Sequence, residues 1–469
     1  MNRFRMSFAC LLLVTLSRFF IGFADRPPNI VVIMTDDQGY ADVGFNGGTD
    51  IPTPNMDRIA EEGVVFTDGY ATYSVCGPSR AGFITGRYPQ RFGFERNPAW
   101  RPANPDVGLP REEQTLAEAL RPLGYTSGVI GKWHLGSHKD VHPLSRGFDE
   151  FYGHLGGGHR YFPEELYIPK EQQARNEPES YLTWIHRGFE PVRTQDYLTY
   201  EFTREALTFV SKHQEKPFFL FLSYNAPHAP LQAPAEEMAK FSHIEDEKRQ
   251  VYAAMVSVVD QGIGKLFDLL DELELTEDTL IFFCSDNGGP FRTNGSSNAP
   301  LRGGKSDPWE GGFRVPFAMR WPGVVPAGLR YSEPVSLLDI FGTVAGILDL
   351  PENPSRVRDG VNLIPFLTGE KEGVPHERIY LRMFDKNVFA MREGIFKLVQ
   401  PQKLKVPRLF NLQKDISESK NVSDWNTYRF DRMKKEYENW NQELIPPAFP
   451  GLDMKEWRNP KIRPLEDFQ

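Results

Sequence analysis

Short apolar runs alternate with helical patterns through most of the chain. The runs are rich in β-branched and aromatic residues, which is typical of strands buried on both faces of a sheet. Between them, apolar residues recur at helical spacing. This alternation favours a mostly parallel sheet covered by helices on both faces. The predicted strands are Asn29–Met34, Tyr125–Gly131, Phe218–Tyr224 and Thr279–Cys284, and the predicted helices are Thr53–Ala60, Thr115–Leu120, Tyr197–His213 and Glu247–Leu273.

The pattern changes after Leu350. The segment Pro351–Pro375 is rich in proline, glycine and charged residues, which indicates a boundary. Closely spaced alternating runs follow and predict an antiparallel meander. We therefore expect an α/β fold, with a large mixed, mostly parallel sheet sandwiched by helices and a smaller C-terminal α+β domain having an antiparallel sheet. The predicted elements of the smaller domain are strands Arg378–Met383, Val388–Arg392 and Ile395–Gln400 and a helix near Asp424–Asn441.

The first 24 residues have the pattern of a secretory signal peptide. Arg3 and Arg5 form a basic start, an apolar stretch runs from Phe8 to Leu16, and Gly22–Ala24 is a small-x-small cleavage site. Arg18 interrupts the apolar run, which argues against a permanent membrane anchor. The alternative is a disordered start on a cytoplasmic protein. We expect export, to the periplasm or outside the cell, and no stable membrane span.

Length and charge limit what the chain can be. Its 469 residues allow about two or three domains, and we expect a signal peptide over 1–24, a main catalytic domain over 25–370 and a C-terminal domain over 371–469. Lysine and arginine number 54 against 63 aspartate and glutamate, a net charge of −9, which becomes −12 without the first 24 residues. This balance argues against nucleic acid as a partner.

Polar side chains cluster directly after all four predicted strands of the main domain. In an open parallel sheet, ligands bind beyond the carboxyl ends of the strands. The four clusters are therefore expected to converge at one edge of the sheet, a pattern more specific than any single cluster. They are Thr35, Asp36 and Asp37; Lys132, Trp133 and His134; Asn225 and His228; and Ser285, Asp286, Asn287, Gly288 and Gly289.

Three carboxylates and one amide in these clusters form a set of hard oxygen donors. Asp36 and Asp37 follow the first strand, and Asp286 and Asn287 precede two glycines that permit a tight turn. Such a set suits calcium, suits magnesium less well and disfavours zinc. The alternative is two Asx-rich turns, since Asp and Asn favour loops in any case. Taken together, the two pairs favour a metal site.

Basic residues accompany the acidic ones. Lys132, His134 and His228 follow predicted strands, and Arg80 and Lys305 stand in glycine-containing segments. Taken singly, a Lys-x-His pair is typical of a solvated loop and a histidine is typical of a structural hydrogen bond. Several cations around one divalent ion, however, suit an anion with several oxygens. Sulfate and phosphate esters both qualify.

Cysteine usage singles out Cys76. Cys10 lies in the N-terminal segment, and Cys284 lies in an apolar strand, where a small buried hydrophobe is the usual interpretation. Two cysteines make no disulfide framework, although one bridge between them stays open. Pro78 favours a helix from Cys76 to Gly86, which places the thiol at a helix N-terminus. The general interpretation is a nucleophile with a lowered pKa, but a free reactive thiol is poorly suited to an oxidising compartment.

The residues around Cys76 resemble the signature of the type I sulfatases of the alkaline phosphatase superfamily. The family pattern is Cys-x-Pro-Ser-Arg-x-x-x-Leu-Thr-Gly, and Cys76–Arg87 (CGPSRAGFITGR) departs from it only at Ile84, a conservative change. The resemblance runs from Asn29 to about Leu412. Other segments that carry it are Gly131–Gly136, Gly303–Lys305, Glu310–Pro316 and Leu409–Leu412.

The resemblance implies an alkaline phosphatase-like fold and hydrolysis of sulfate esters. It also implies that a formylglycine-generating enzyme oxidises Cys76 to formylglycine during export, which removes the free-thiol problem. The hydrated aldehyde is a gem-diol, and one hydroxyl attacks sulfur while the ester oxygen leaves. By match to the family, Arg80 and Lys132 steady the diol and the sulfate, His228 with Lys305 protonates the leaving alcohol, and His134 deprotonates the remaining hydroxyl.

The substrate implied by resemblance to exported bacterial polysaccharide sulfatases is a sulfated carbohydrate. The loop Gly156–Tyr161, with His159 and Arg160, and the aromatic segment Tyr181–His186 are candidates for a sugar subsite, because aromatic faces and arginine suit sulfated sugars. The alternative for both is ordinary surface loop. The resemblance also implies calcium, held by Asp36, Asp37, Asp286 and Asn287 with Cys76 as a further ligand.

Two other functions stay open. A phosphodiesterase or phosphonate monoester hydrolase of the same superfamily can share a formylglycine nucleophile, and faster release of phosphate than of sulfate would identify it. A non-catalytic binder of sulfated glycan is disfavoured because every catalytic position is intact. Asn294 and Asn421 begin glycosylation sequons, which matter only in a eukaryotic secretory pathway.

Overall fold

The computed structural model describes residues 26–165, 184–404 and 406–451. The predicted signal peptide, with Cys10, lies outside these ranges, as do residues 181–183 of the predicted aromatic segment. Within these ranges, no helix is long and apolar enough to cross a membrane.

Three sheets and the helices around them make up the described structure. The strands are β1 Asn29–Thr35, β2 Val64–Phe66, β3 Gly69–Tyr70, β4 Thr126–Lys132, β5 Glu150–His154, β6 Ile185–Arg187, β7 Glu190–Val192, β8 Phe218–Ser223, β9 Thr279–Ser285, β10 Phe317–Arg320, β11 Leu329–Tyr331, β12 Val335–Ser336, β13 Arg378–Met383, β14 Val388–Glu393, β15 Phe396–Gln400 and β16 Arg408–Asn411. The helices are α1 Pro54–Glu61, α2 Cys76–Thr85, α3 Leu116–Leu120, α4 Leu198–His213, α5 Ala235–Ala239, α6 Glu247–Glu272, α7 Phe291–Asn294, α8 Glu310–Phe313, α9 Leu338–Ile347, α10 Ile364–Leu367 and α11 Thr427–Gln442.

The largest sheet has ten strands in the order β11–β2–β10–β9–β1–β8–β4–β5–β6–β7. Its centre, from β9 to β5, is parallel, whereas β10 and β6 run antiparallel to their neighbours. In β1, Ile30, Val32 and Met34 face one core, and Val31 and Ile33 face another. Both faces of this strand are buried, which explains why its sequence is an unbroken apolar run.

Helices cover both faces of this sheet. Apolar residues of α4 and α6 pack in one core, and those of α2 and α9 pack in the other. The predicted fold class, a mostly parallel mixed sheet sandwiched by helices, is confirmed. Thr115, the predicted first residue of one helix, caps α3 instead: its side chain accepts a hydrogen bond from Glu118 N, and the Glu118 carboxylate accepts one from Thr115 N.

The C-terminal strands β13 to β16 form the predicted antiparallel sheet, in chain order. One face holds Phe389, Met391 and Leu398, which pack against Tyr437 and Trp440 of α11. Apolar residues on its other face belong to one of the two cores of the large sheet. The boundary placed at residue 370 stays a prediction.

Three fully buried charges join the C-terminal sheet to the main domain. Lys397 Nζ, on β15, lies 2.8 Å from a carboxylate oxygen of Glu310 on α8 and 2.9 Å from one of Glu418. Burial alone would raise the pKa of Glu310, but Lys397 and then Arg314 lower this pKa to about 2. Lys397 and Arg314, which lies 3.1 Å from Glu310, therefore balance two carboxylates that water cannot reach.

We expect Lys397→Met to lower the free energy of unfolding by about 3–5 kcal/mol, because it leaves the buried Glu418 carboxylate without its cation and Glu310 with Arg314 alone. Guanidinium denaturation measures this loss. Lys434→Met is the matched control, since this lysine of α11 is half exposed and lies 3.7 Å from Glu438; its effect should stay within about 0.5 kcal/mol. A loss below about 1 kcal/mol for Lys397→Met would contradict the role given to this charge.

Candidate active site

The register of the central strands aligns four strand ends at one edge of the sheet. Met34 of β1 lies beside Ser223 of β8, Ser223 lies beside Gly131 of β4, and Thr35 lies beside Ser285 of β9. Carboxyl ends of parallel strands share an edge, so the polar residues that follow them meet there. The structure thus brings together the four clusters that the sequence pattern places after the strands.

The acidic residues form one buried group at this edge. Asp37 has a positive φ of 66°, which turns the chain directly after β1. Its backbone N–H donates to Asp286 Oδ1 at 3.3 Å, and Asn287 Nδ2 donates to Asp37 Oδ1 at 2.7 Å. Asp36, Asp37 and Asp286 are each at most 3 % exposed. Three carboxylates this deeply buried require cationic partners.

The residues present suit a divalent cation. Donor atoms of Asp36, Asp37, Cys76 and His228 all lie within 4.8 Å of one another. The side-chain oxygen of Asn287 is buried and accepts no hydrogen bond from the described residues, which leaves it available to an ion. His228 joins the group because its Nε2 lies 3.4 Å from Asp37 Oδ2, which agrees with the expected convergence of the clusters that follow the strands. The many oxygen donors favour a hard cation.

Cys76 is the first residue of α2 and lies inside this group. Its Sγ is 3.3 Å from Asp36 Oδ1 and 4.0 Å from Asp37 Oδ1, and Lys305 Nζ lies 3.0 Å from it. Burial, together with the carboxylates of Asp286 and Asp36, raises the pKa of the thiol well above its ordinary value. The general expectation of a lowered thiol pKa is therefore wrong, because carboxylates and burial outweigh the helix N-terminus. Both described cysteines are free, which removes the disulfide alternative.

Arg80 and Lys132 are the buried cations that pair with the acidic group. Arg80 Nε donates to Asp286 Oδ2 at 2.9 Å, and Lys132 Nζ lies 2.5 Å from Asp36 Oδ2. Ser223 holds the two cations together: its hydroxyl accepts from Arg80 Nη1 at 2.6 Å and donates to the Lys132 carbonyl at 2.6 Å. Sequence reasoning missed Ser223, although its place at the end of a predicted strand was a usable signal.

Lys305 and His228 stand at the opening of the site, with side chains 17 % and 9 % exposed. Burial lowers the pKa of Lys305, but the nearby Asp37 and Cys76 outweigh it and raise this pKa well above its ordinary value. Burial lowers the pKa of His228 to about 4. Lys305 is therefore a protonated group and His228 a neutral one beside the same carboxylate, Asp37.

His134 is a buried neutral base surrounded by cations. Burial, and then the charges of Lys132, Arg80 and Lys305, lower its pKa well below the ordinary value. Neither ring nitrogen has a hydrogen-bond partner among the described residues. Its φ of 58° turns the chain after β4. A neutral imidazole with a free nitrogen can accept a proton from a substrate or from a nearby hydroxyl.

The predicted sugar-binding loop lies beside the site, and its two candidate residues differ in exposure. His159 is 1 % exposed and its ring packs 5.1 Å from that of His154 at the end of β5. Arg160 is 41 % exposed and lies 3.9 Å from Glu165, so it is the member of the pair that reaches solvent. Tyr161 OH contacts the carbonyls of residues 225 and 228 at 2.9 and 2.8 Å. This loop thus supports the segment that carries His228.

The fold is that of the alkaline phosphatase-like hydrolases. Residues 28–350 match the model of the sulfatase family, and the chain belongs to that family: it is a sulfuric ester hydrolase. It is 36 % identical to the N-acetylgalactosamine-6-sulfatase of Canis lupus familiaris over 378 residues, which cover 76 % of this chain and 70 % of that one. It is 34 % identical to the steryl-sulfatase of Homo sapiens, over 75 % of this chain and 72 % of that one.

A solved structure extends the likeness to almost the whole chain. The crystal structure of Ps i-CgsB in complex with k-i-k-neocarrahexaose superimposes with a TM-score of 0.87 and 39 % identity, covering 95 % of this chain and all of that one. The C-terminal sheet, which lies beyond the family match, is included in this coverage.

We expect Ser223→Ala to slow sulfate release about tenfold, ~1.4 kcal/mol, because Arg80 loses a hydrogen bond that fixes its guanidinium. Steady-state kinetics on any sulfate ester that the enzyme accepts measures this. Ser211→Ala is the control, since its hydroxyl bonds only the carbonyl of Leu207 on the exposed side of α4. An unchanged turnover rate in a stable Ser223→Ala protein would show that Ser223 does not position Arg80.

Proposed function

We propose that this sulfatase removes sulfate from a sulfated carbohydrate, using formylglycine made from Cys76 and a bound calcium ion. The observation that carries the proposal is the setting of Cys76, buried 3.3 Å from Asp36 and 3.0 Å from the ammonium of Lys305. The carbohydrate bound to Ps i-CgsB supports this substrate class.

Residue 76 supplies the nucleophile only after modification. As a thiol it is kept protonated by burial and by nearby carboxylates, which raise its pKa. A formylglycine-generating enzyme would convert it during export to an aldehyde, whose hydrate carries two hydroxyl groups. One hydroxyl gives its proton to the Asp36 carboxylate, which lies 3.3 Å from Sγ of the unmodified residue. Its oxygen forms a bond to sulfur as the bond between sulfur and the ester oxygen breaks, and the ester oxygen leaves with the electron pair.

The surrounding side chains move the protons and hold the anion. Arg80 and Lys132 orient the sulfate and the hydrated residue 76. Lys305 stays protonated and, with His228, gives a proton to the leaving alcohol. His134 is neutral and has free ring nitrogens, so it accepts the proton of the second hydroxyl, which releases sulfate and restores the aldehyde.

Asp36, Asp37, Asp286 and Asn287, with residue 76, would hold the calcium ion. When bound, the ion offsets negative charge on the sulfate and polarises its oxygens. A flexible set of carboxylate and amide oxygens suits calcium better than magnesium, which requires near-ideal octahedral geometry. The buried, unbonded oxygen of Asn287 is the feature of the described residues that best supports a metal here.

Export to the periplasm or outside the cell belongs to the same proposal. The N-terminal pattern of basic, apolar and small residues supports it. An exported enzyme would also encounter a polymeric sulfated glycan directly, because such a polymer lies outside the cytoplasm. The two partners proposed are therefore a sulfated glycan and, during maturation, the formylglycine-generating enzyme.

The first test is the mass of the peptide that carries residue 76, from protein expressed with a formylglycine-generating enzyme. We expect it to be lighter by the difference between a thiol and an aldehyde side chain. The converted protein should release sulfate from a panel of sulfated oligosaccharides, and Cys76→Ala should slow this by on the order of 10³-fold or more. Cys284→Ala, at the other buried cysteine, should keep the rate.

Two results would count against this mechanism. An unmodified Cys76, from cells that convert a known sulfatase, would exclude formylglycine. Faster release of phosphate or phosphonate than of sulfate, from matched esters, would instead favour the phosphodiesterase or phosphonate monoester hydrolase alternative.

Calcium should raise the thermal unfolding midpoint, since it binds only the folded acidic group; at about a hundred times Kd the gain is about 2.7 kcal/mol. Magnesium should give less. Asp37→Asn should abolish most of the shift, whereas Asp268→Asn, on the exposed side of α6, should leave it intact. Burial, and then the charge of Asp36, raise the pKa of Asp286 to about 6, so the calcium shift should shrink below that pH as the carboxylate takes a proton. Equal shifts in both variants would place the ion elsewhere.

A further inference from the structure

A basic groove lies between the segment that carries Lys305 and the C-terminal sheet. It has a volume of about 390 Å³, and its charged and aromatic lining consists of Arg292, Arg302, Asp307, Trp309, Lys386 and Lys403. Four cations therefore face one carboxylate, in a chain whose net charge is −9. No function described so far uses these residues.

Three of the four cations of the basic groove have no ion pair with a carboxylate among the described residues. Among the described residues, neither Arg292, Arg302 nor Lys403 forms an ion pair with a carboxylate, and Asp307 accepts a hydrogen bond from the backbone of Gly304 at 3.1 Å. Unpaired arginines grouped around a cavity attract anions, and the attraction is weakened by salt.

Arg302 is held in place for such an anion. Its guanidinium lies 3.7 Å from the centre of the Trp309 ring, and its Nη1 donates to the Glu418 carbonyl at 2.7 Å. These contacts fix the plane of the group and leave its other N–H donors for a ligand. A fixed, planar guanidinium is suited to sulfate, which it can bind through two parallel hydrogen bonds.

The basic groove is adjacent to the nucleophile. Lys386 Nζ donates to the Ser306 carbonyl at 2.8 Å, and Ser306 N donates to the Ser74 carbonyl at 2.8 Å. The next residue back, Lys305, reaches Cys76 Sγ at 3.0 Å. Gly303 and Ser306, on either side of Lys305 in the chain, line the groove, so the groove and the active site share one loop and lie on the order of 10 Å apart. A neighbouring sugar of one glycan chain can span that distance.

We propose that the basic groove binds a second sulfate group on the same glycan, so that the enzyme prefers chains sulfated on a neighbouring sugar as well as at the bond it cleaves. This rests on the proposed carbohydrate substrate. The groove sulfate is bound and not hydrolysed, because residue 76, which carries the reaction, is not among the residues that line the groove.

Calorimetry on the unconverted full-length protein tests binding apart from turnover. The probes are κ- and ι-neocarrabiose, which share a backbone and carry one and two sulfates, the second on the neighbouring sugar, and mono- and disulfated chondroitin tetrasaccharides. We expect the more sulfated member of one pair to bind about tenfold more tightly, and Arg302→Gln and Lys403→Gln each to remove most of that preference. Arg302→Lys should recover it only in part, and Lys212→Gln, an exposed lysine beside Glu150 at the start of β5, should not change it.

Kinetics on the converted enzyme separates the groove from the reaction. Arg302→Gln should raise KM for the disulfated substrate about tenfold, leaving kcat and all parameters for the monosulfated one unchanged. Equal binding of both members of each pair, or an equal loss for both in Arg302→Gln, would overturn the proposal. If the glycan binds tightly and this binding depends on Arg302, but no sulfate is released, the groove proposal stands and the proposed function is rejected.

Discussion

The site depends on the mutual neutralisation of buried carboxylates and cations at one sheet edge. Asp36, Asp37 and Asp286 are removed from water, a state that costs several kcal/mol per charge unless a partner lies within bonding distance. Lys132 meets Asp36 at 2.5 Å, Arg80 meets Asp286 at 2.9 Å, and Lys305 meets Asp37 at 2.7 Å. These contacts require the ends of β1, β4, β8 and β9 to coincide, so the charge balance and the strand register are one constraint. A metal ion that binds the carboxylates, or a sulfate that binds the cations, therefore enters a group of charges that are already paired with one another.

The C-terminal sheet is part of the support for this edge. Lys397 forms ion pairs with Glu310 and Glu418, and Glu310 N donates to the Glu418 carboxylate at 2.7 Å. The residues after Glu310 press against the acidic turn: Gly288 N donates to the Gly312 carbonyl at 3.1 Å. A Cβ on Gly288 would lie 1.9 Å from the Gly311 carbonyl oxygen, so only glycine permits this approach. A buried ion pair far from residue 76 therefore helps to fix the turn that carries Asn287.

The sequence predicts those parts of the structure that have long apolar runs or clusters of polar residues. The central strands were predictable because burial on both faces makes them unbroken apolar runs, and the acidic residues, Lys132 and the two histidines of the site because they follow those runs. Cys76, Arg80 and Lys305 follow no such run, and the family resemblance assigns their roles. β2, β6, β7 and β11 were not, since three residues carry no period. The high thiol pKa also lay out of reach. It depends on Asp286, which is 210 positions from Cys76 in the chain, and on Asp36, which the pairing of β1 with β9 brings beside Asp286.

The same electrostatics separates the chemistry from the selection of substrate. Around residue 76 the cations are buried and matched to carboxylates, so they recognise whatever sulfate is delivered but say little about the molecule that carries it. His134 stays neutral there because cations on every side oppose a further positive charge, which keeps it a base. At the rim the cations are exposed and unmatched, as at Arg302. A chain that is negative overall repels polyanions except where such local charge outweighs it. Selection among sulfated glycans therefore falls to the rim residues, while the buried group stays committed to the cleavage of the sulfate ester.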